Sequence, residues 1–263
     1  MSIENIIFRA LSPFGIEANE IKITEIDDKD LVSLKHVIAS NGLLVFRKQL
    51  VTDADFVAFL SRLGAMTFTV GETPVLHQPN LNVVSNIGRD RPPRSVFHTD
   101  TSYVSRPPAF TALRAVTIPA SGGATLFSEQ YRAYETLPSI VKEQLADARV
   151  LHVMSGLALE NHQEQQSWHP LFLRHPLSGR LALFLSTPER CQVISGMAIE
   201  KAQRSVRLLY RHSIRHYRLY RHRWQPGDIA IWDNRCTMHR ADHAQVIGDR
   251  VLHRGLVLGE PIV

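Results

Sequence analysis

Cysteine is scarce in this 263-residue chain: Cys191 and Cys236 are the only two. They are too few for a disulfide framework and do not form a C-x-x-C pair, so a disulfide-stapled scaffold is excluded and both read as buried free thiols. Long apolar runs are also missing. No stretch approaches the roughly 18 uninterrupted apolar residues of a membrane-spanning helix, so no membrane partner is expected. The opening residues, MSIENIIFRALSPFGIEANE, lack the basic-then-apolar order of a signal peptide, and a cytoplasmic location is the expectation. Repeats, low-complexity tracts and linkers are absent too, which favours one domain over residues 1–263. The hydrophobic fraction, 44%, is that of an ordinary globular chain with a substantial core.

Acidic residues are outnumbered, 25 against 30 Lys and Arg, giving a formal charge of +5. The excess gathers in RSVRLLYRHSIRHYRLYRHRW, residues 204–224, the best argument in the chain for a polyanionic partner. Val206, Leu209, Ile214 and Leu219 supply it with an apolar component, and no nucleic-acid motif accompanies it. The stretch therefore reads as a partly amphipathic helix running into a strand with a solvated basic face, and no nucleic-acid partner is expected.

Periodicity assigns the elements. In DLVSLKHVIASNG (30–42), Leu31, Leu34, Val37 and Ile38 recur at helical spacing and Gly42 can end the helix. LLVFR (43–47) reads as a buried strand. TDADFVAFLSRLG (52–64) offers Thr52 as N-cap with Asp55 three residues on, an apolar face of Phe56, Phe59, Leu60 and Leu63, and a stop at Gly64. Strands then dominate: NVVSNI, FTALRAVTI, ATLFS, RVLHVM, RLALFLS, DIAIWD and VLHRGLVL, separated by Gly, Pro, Asn and Ser. Helices interrupt near LPSIVKEQLADA and AIEKAQRSVRLLYRH. This order predicts an α+β fold, a double-stranded β-helix (jelly roll) core with flanking helices. The Gln-, Glu- and His-rich segment between His152 and His175 has no clear period and reads as a long loop, a candidate lid.

Three local signals carry chemistry. On a strand, His98 and Asp100 of FHTD would point to one face, within reach of one ion. DIAIWDNRCTMHRADH (228–243) runs an apolar strand into Trp232-Asp233-Asn234 and offers His239 at its far end. Two histidines and a carboxylate on one face of a metal leave three positions open, as in non-haem Fe(II) sites. Arg250 and Arg254 would share a face of the last strand, about 13 Å apart at ~3.3 Å per residue. Pointing inward, they would need anionic partners; pointing outward, they would be solvated cations on an edge strand. Other constellations are weaker. His239 and His243 lack the glutamate of a zinc-binding H-E-x-x-H helix, His152, His162, His169 and His175 have no ligand spacing, and Gly122-Gly123 lacks the Lys-Ser/Thr of a phosphate loop.

With these motifs in place, the chain resembles the iron(II)/2-oxoglutarate-dependent dioxygenases of the taurine dioxygenase and 2,4-dichlorophenoxyacetate dioxygenase type. The likeness runs through GLLVFR, FHTD, PPAFTALRAVTIPASGGATLFS, HPLSGR and YRHRWQPGDIAIWDNRCTMHR to the C-terminal arginines. It implies that His98, Asp100 and His239 ligate Fe(II), and that Thr125 and Arg250 hold the distal carboxylate of the cosubstrate 2-oxoglutarate. It further implies that Arg254 holds the acidic group of a small anionic organic substrate. The implied reaction uses O2 to oxidise, chiefly to hydroxylate, an unactivated C–H, with 2-oxoglutarate decarboxylated to succinate and CO2. Aryloxyalkanoates, sulfonates and alkyl sulfates lead as substrates, beside an amino acid or natural-product intermediate. A non-catalytic jelly-roll binding protein is the alternative of a different class. Asp100 argues against halogenation, where the family pattern replaces this carboxylate with a small residue.

Thr69 stands nearest to a pocket histidine of the taurine enzyme, and Arg94 near a pocket asparagine, which makes taurine itself a poor fit. Thr101 and Tyr103, just beyond the proposed metal, are candidates to line the substrate pocket, as is His77. Family members often assemble as dimers or tetramers, so the resemblance leaves a homo-oligomer open.

Overall fold

A computed structural model describes residues 6–88, 95–155 and 164–262. The first long helix, Leu31–Asn41, buries Leu31, Leu34 and Ile38, and ends where Gly42 turns to φ 73° and donates its N–H to the Ile38 carbonyl. The second, Asp53–Leu63, begins with the expected capping box. The Asp55 N–H donates to Thr52 Oγ1, the Thr52 N–H donates to Asp55 Oδ2, and Phe56, Phe59, Leu60 and Leu63 face inward. Burying each of those side chains contributes roughly 1.5–3 kcal/mol, so the apolar stripe rather than propensity anchors the helix.

Both helices cover the outer face of a nine-stranded sheet. Its central path runs Leu43–Phe46, Ile229–Asp233, Pro108–Thr117, Val251–Leu258 and Gln78–Ser85, and all four of these pairings are antiparallel. Leu44, Phe46, Ile229 and Ile231 point to the helices, while Leu43, Val45, Ala230 and Trp232 point the other way, as strand alternation requires. Facing that inner side is a three-stranded sheet in the order Leu219–His222, Thr125–Glu129, Thr237–Ala241. The layer between the sheets is apolar, with the Phe127 ring 5.2 Å from Trp232. This is an α+β arrangement, as the element order predicts.

Residues 234–236 carry the chain from one sheet to the other. The Gly42 carbonyl accepts both the Asp233 N–H and the Thr237 hydroxyl, each at 3.0 Å, so one helix end pins both sides of the crossing. A Cβ at Gly42 would lie 2.8 Å from Thr237 Oγ1, which is why only glycine fits there.

One expectation is corrected. The segment after His152 is not a continuous loop: Gln166–Pro170 pairs with Arg149–Val153, and Phe172–Arg174 pairs with Leu181–Leu183. The first of these strands buries only His169 and carries no alternating apolar set, so it lacks the apolar alternation that would announce it. The lid expectation falls mainly on 156–163, outside the described residues. Within 204–224, the helix Ile199–Ser213 buries Ala202, Val206 and Leu209 and leaves Lys201, Arg204, Arg207 and Arg211 on the exposed side, followed by the strand Leu219–His222. Among the described residues no helix is long and apolar enough to cross a membrane.

Candidate active site

His239 belongs to the Thr237–Ala241 strand of the smaller sheet. It does not lie at the end of the Ile229–Asp233 strand, as its place in the sequence suggested, because the chain changes sheets between the two. His98 and Asp100 differ from expectation as well. His98 forms a single antiparallel bridge with His239, and Asp100 sits in the turn that follows. Thr101, the next residue of that turn, has φ 45°. The outcome is still a convergence. Nε2 of His98 is 3.5 Å from Asp100 Oδ1, Nε2 of His239 is 3.9 Å from Oδ2, and one donor atom from each residue lies within 4.8 Å of the others.

The surroundings prepare these atoms as ligands. Nδ1 of His98 is 2.9 Å from the Val96 carbonyl, which only accepts, so Nδ1 carries the proton and Nε2 presents a lone pair. Burial pushes the His239 imidazole down to about 3, against the pull of Asp100, and keeps it neutral. Burial alone would raise Asp100, but His239, Arg254 and His98 outweigh it and hold the carboxyl well below its usual range. Two imidazoles, the His239 ring held neutral, and an ionised carboxylate make a donor set suited to a divalent ion with open positions left over.

A chain of hydrogen bonds fixes the carboxylate. Trp232 Nε1 donates to Asn234 Oδ1 (3.2 Å), Asn234 Nδ2 to Thr111 Oγ1 (2.7 Å), and Thr111 Oγ1 to Asp100 Oδ2 (2.8 Å). Sequence reasoning missed Thr111 and the role of Asn234. Thr111 faces Trp232 across the sheet, a register that no local pattern announces.

A second cluster, His175, Asp233 and Cys236, also has metal-like spacing. Its carboxylate is already committed: Arg235 donates to both oxygens of Asp233, and His175 Nε2 lies 2.9 Å from Oδ2. The guanidinium stands where a cation would, and the group acts as a buried strut.

Arg250 and Arg254 are both buried, since their strand lies inside the sheet between Gln78–Ser85 and Pro108–Thr117. The edge-strand alternative is thereby excluded. Arg250 donates from Nε to the Gly123 carbonyl (2.8 Å) and from Nη2 to Thr125 Oγ1 (3.3 Å), and among the described residues it has no acidic partner. Burial draws it down to about 10. A Cβ at Gly123 would lie 3.0 Å from Arg250 Cδ, so this glycine makes the close approach feasible. Trp224 Nε1, also missed from sequence, donates to Thr125 Oγ1 at 3.0 Å. Thr125 faces the same side as His239, because Phe127, two residues along its strand, pairs directly with His239.

Arg254 is surrounded differently. Nη1 lies 3.5 Å from Asp100 Oδ1, and Nη2 lies 3.3 Å from Glu72 Oε1 and 3.5 Å from Thr69 Oγ1. Its Nε is buried without a hydrogen-bond partner among the described residues. Nearby opens a cavity of about 350 Å³ lined by Thr69, Thr101, Tyr103, Arg106 and Leu256, among others. Thr69, Thr101 and Tyr103 thus line one cavity. His77 does not: it is exposed, at φ 63°, and does not line the cavity. Arg94 and His162 lie outside the described residues. Glu72 was not anticipated, because a lone acid in a turn carries no pattern.

Comparison with known proteins gives a consistent picture. The model of a family described as "Taurine catabolism dioxygenase TauD, TfdA family" matches residues 8–256. The alpha-ketoglutarate-dependent 2,4-dichlorophenoxyacetate dioxygenase of Cupriavidus pinatubonensis is 26% identical, over 98% of this chain and 100% of that protein. An alpha-ketoglutarate-dependent sulfate ester dioxygenase of Pseudomonas putida is 28% identical, over 94% of this chain and 87% of that protein. Among solved structures, AAD-2 in complex with Mn(II) and N-oxalylglycine superposes with a TM-score of 0.85 at 25% identity, covering 100% of both chains.

Proposed function

This chain belongs to the taurine catabolism dioxygenase TauD, TfdA family, and on that premise we propose that it oxidises a C–H bond of a small organic acid, with hydroxylation as the usual outcome. It is an Fe(II)- and 2-oxoglutarate-dependent dioxygenase, converting 2-oxoglutarate to succinate and CO2. The observation that carries the substrate assignment is the pair of buried arginines, Arg254 against Asp100 of the donor set and Arg250 against Thr125, one for each of two anions. Aryloxyalkanoates, sulfonates and alkyl sulfates are the leading substrates. The facing sheets support a double-stranded β-helix core in one domain over 1–263. The free, buried thiols of Cys191 and Cys236 agree with a cytoplasmic enzyme. A homo-oligomer is part of the proposal by analogy with the family alone.

The protein's own groups have separable tasks. Iron(II) held by His98, Asp100 and His239 would supply the activation of O2. The Val96 carbonyl keeps the His98 proton on Nδ1, and Thr111 holds one Asp100 oxygen, so the three donors are set before any ion arrives. Thr125 Oγ1 accepts from Trp224 and Arg250, which leaves its own proton to donate into the site. Arg250 and Thr125 together would grip the far carboxylate of 2-oxoglutarate. Arg254 would orient the substrate acid through Nε and its terminal nitrogens, and the Phe127 and Trp232 rings exclude water from the inner wall.

The test is anaerobic addition of Fe(II) and 2-oxoglutarate, followed by an acid panel under O2. A weak visible charge-transfer band, and succinate release with at least one carboxylate or sulfonate, are expected. Absence of both the band and succinate would defeat the proposal.

A further inference from the structure

Arg250 and Arg254 pose a problem of discrimination: both could take a carboxylate, and 2-oxoglutarate carries two. Their surroundings differ in one decisive respect. Arg250 is buried beside a backbone carbonyl and a hydroxyl, with no acid near it among the described residues. Arg254 already has Glu72 Oε1 at 3.3 Å and Asp100 Oδ1 at 3.5 Å. Asp100 serves the metal donors, so Glu72 is the carboxylate given over to Arg254.

Glu72 is positioned rather than incidental. It closes a turn whose first residue is Thr69: the Glu72 N–H donates to the Thr69 carbonyl at 3.3 Å, and Gly71 supplies φ 84°. The turn therefore presents a hydroxyl and a carboxylate to the same guanidinium nitrogen, Nη2. The Glu72 side chain retains 34% exposure, so it can turn away toward solvent when another anion arrives.

Resting on the dioxygenase reading above, we propose that Glu72 is a specificity residue that pre-neutralises Arg254 and so directs the dicarboxylate cosubstrate to Arg250. An unpaired buried cation attracts a dianion strongly, whereas one already paired must first exchange its counter-ion. Arg254 is kept for a second ligand able to replace Glu72. That ligand is a singly charged acid whose oxygens reach the buried Nε and Nη2, because a second negative charge near the displaced Glu72 would be repelled.

The experiment is calorimetric titration of the anaerobic Fe(II)-loaded protein with 2-oxoglutarate alone. The unmodified protein takes up one equivalent. Glu72→Gln takes up two, the second at least about tenfold tighter than any second uptake by the unmodified protein, as expected for removal of one charge-assisted contact. Glu72→Ala behaves in the same way, and the first equivalent reports that either variant is folded. Glu72→Gln combined with Arg254→Gln returns to one equivalent. A single equivalent in both Glu72 variants, or a second that survives loss of Arg254, overturns the role of Glu72 while leaving the dioxygenase reading intact. No uptake by the unmodified protein overturns that reading and this inference with it.

Discussion

The backbones of His98 and His239 bond reciprocally, N–H to carbonyl, at 3.0 and 3.1 Å. Residues 141 positions apart in the chain are thereby held as a directly opposed antiparallel pair, with ring centroids 4.4 Å apart. Two proposed ligands are set by main-chain bonding, and only the third, Asp100, depends on a turn and on side-chain support.

That dependence makes Thr111 a sensitive position. Thr111→Val removes the donor to Asp100 Oδ2 and the acceptor for Asn234. Fe(II) affinity should fall roughly 10- to 100-fold, and stability by about 1–3 kcal/mol from the stranded amide. Anaerobic metal titration and thermal melting check the two effects separately.

Replacing the arginines should split the kinetic constants. Arg250→Ala should weaken 2-oxoglutarate binding by roughly 10- to 100-fold, the scale of a lost charged contact. Arg254→Ala should raise the KM of the primary substrate while leaving cosubstrate affinity nearly unchanged. Measuring both constants for both variants decides the assignment, and normal 2-oxoglutarate affinity in Arg250→Ala would contradict it.

Gly42 supports the site from outside it. Gly42→Ala places a methyl against Thr237 at a positive φ, and should cost roughly 1–3 kcal/mol. The readout is a lowered midpoint in urea with an unchanged slope.

Metal-free protein should lose stability in mild acid before its carboxylates titrate. Burial lowers His152, His169 and His239, the last to about 3. Below about pH 6.5 the unfolded chain binds protons that the native state refuses, so stability falls with pH. For His239 the loss is about 2 kcal/mol at pH 5. Melting curves between pH 8 and 5 should shift steadily downward, and a flat profile would show that these rings are not held neutral. Asp100, held low, adds its own loss only in stronger acid.

Much of this was legible in the sequence, for identifiable reasons. The helices Leu31–Asn41 and Asp53–Leu63 announce themselves through apolar spacing and terminal residues, which are local properties. His98, Asp100 and His239 were legible as a donor set, but not their settings, since the bridge and the change of sheet depend on distant pairing. Thr111, Trp224 and Glu72 act through bonds to residues 11, 99 and 182 positions away, and nothing in their own neighbourhoods marks them. Gln166–Pro170 was misread because a strand whose one buried side chain is a histidine shows no apolar alternation.

The most direct test of the central claim is anaerobic Fe(II) binding by the unmodified protein and by Asp100→Ala. The account predicts one tightly bound iron per chain in the first and a loss of at least about tenfold in affinity in the second. Equal iron binding by both would contradict it.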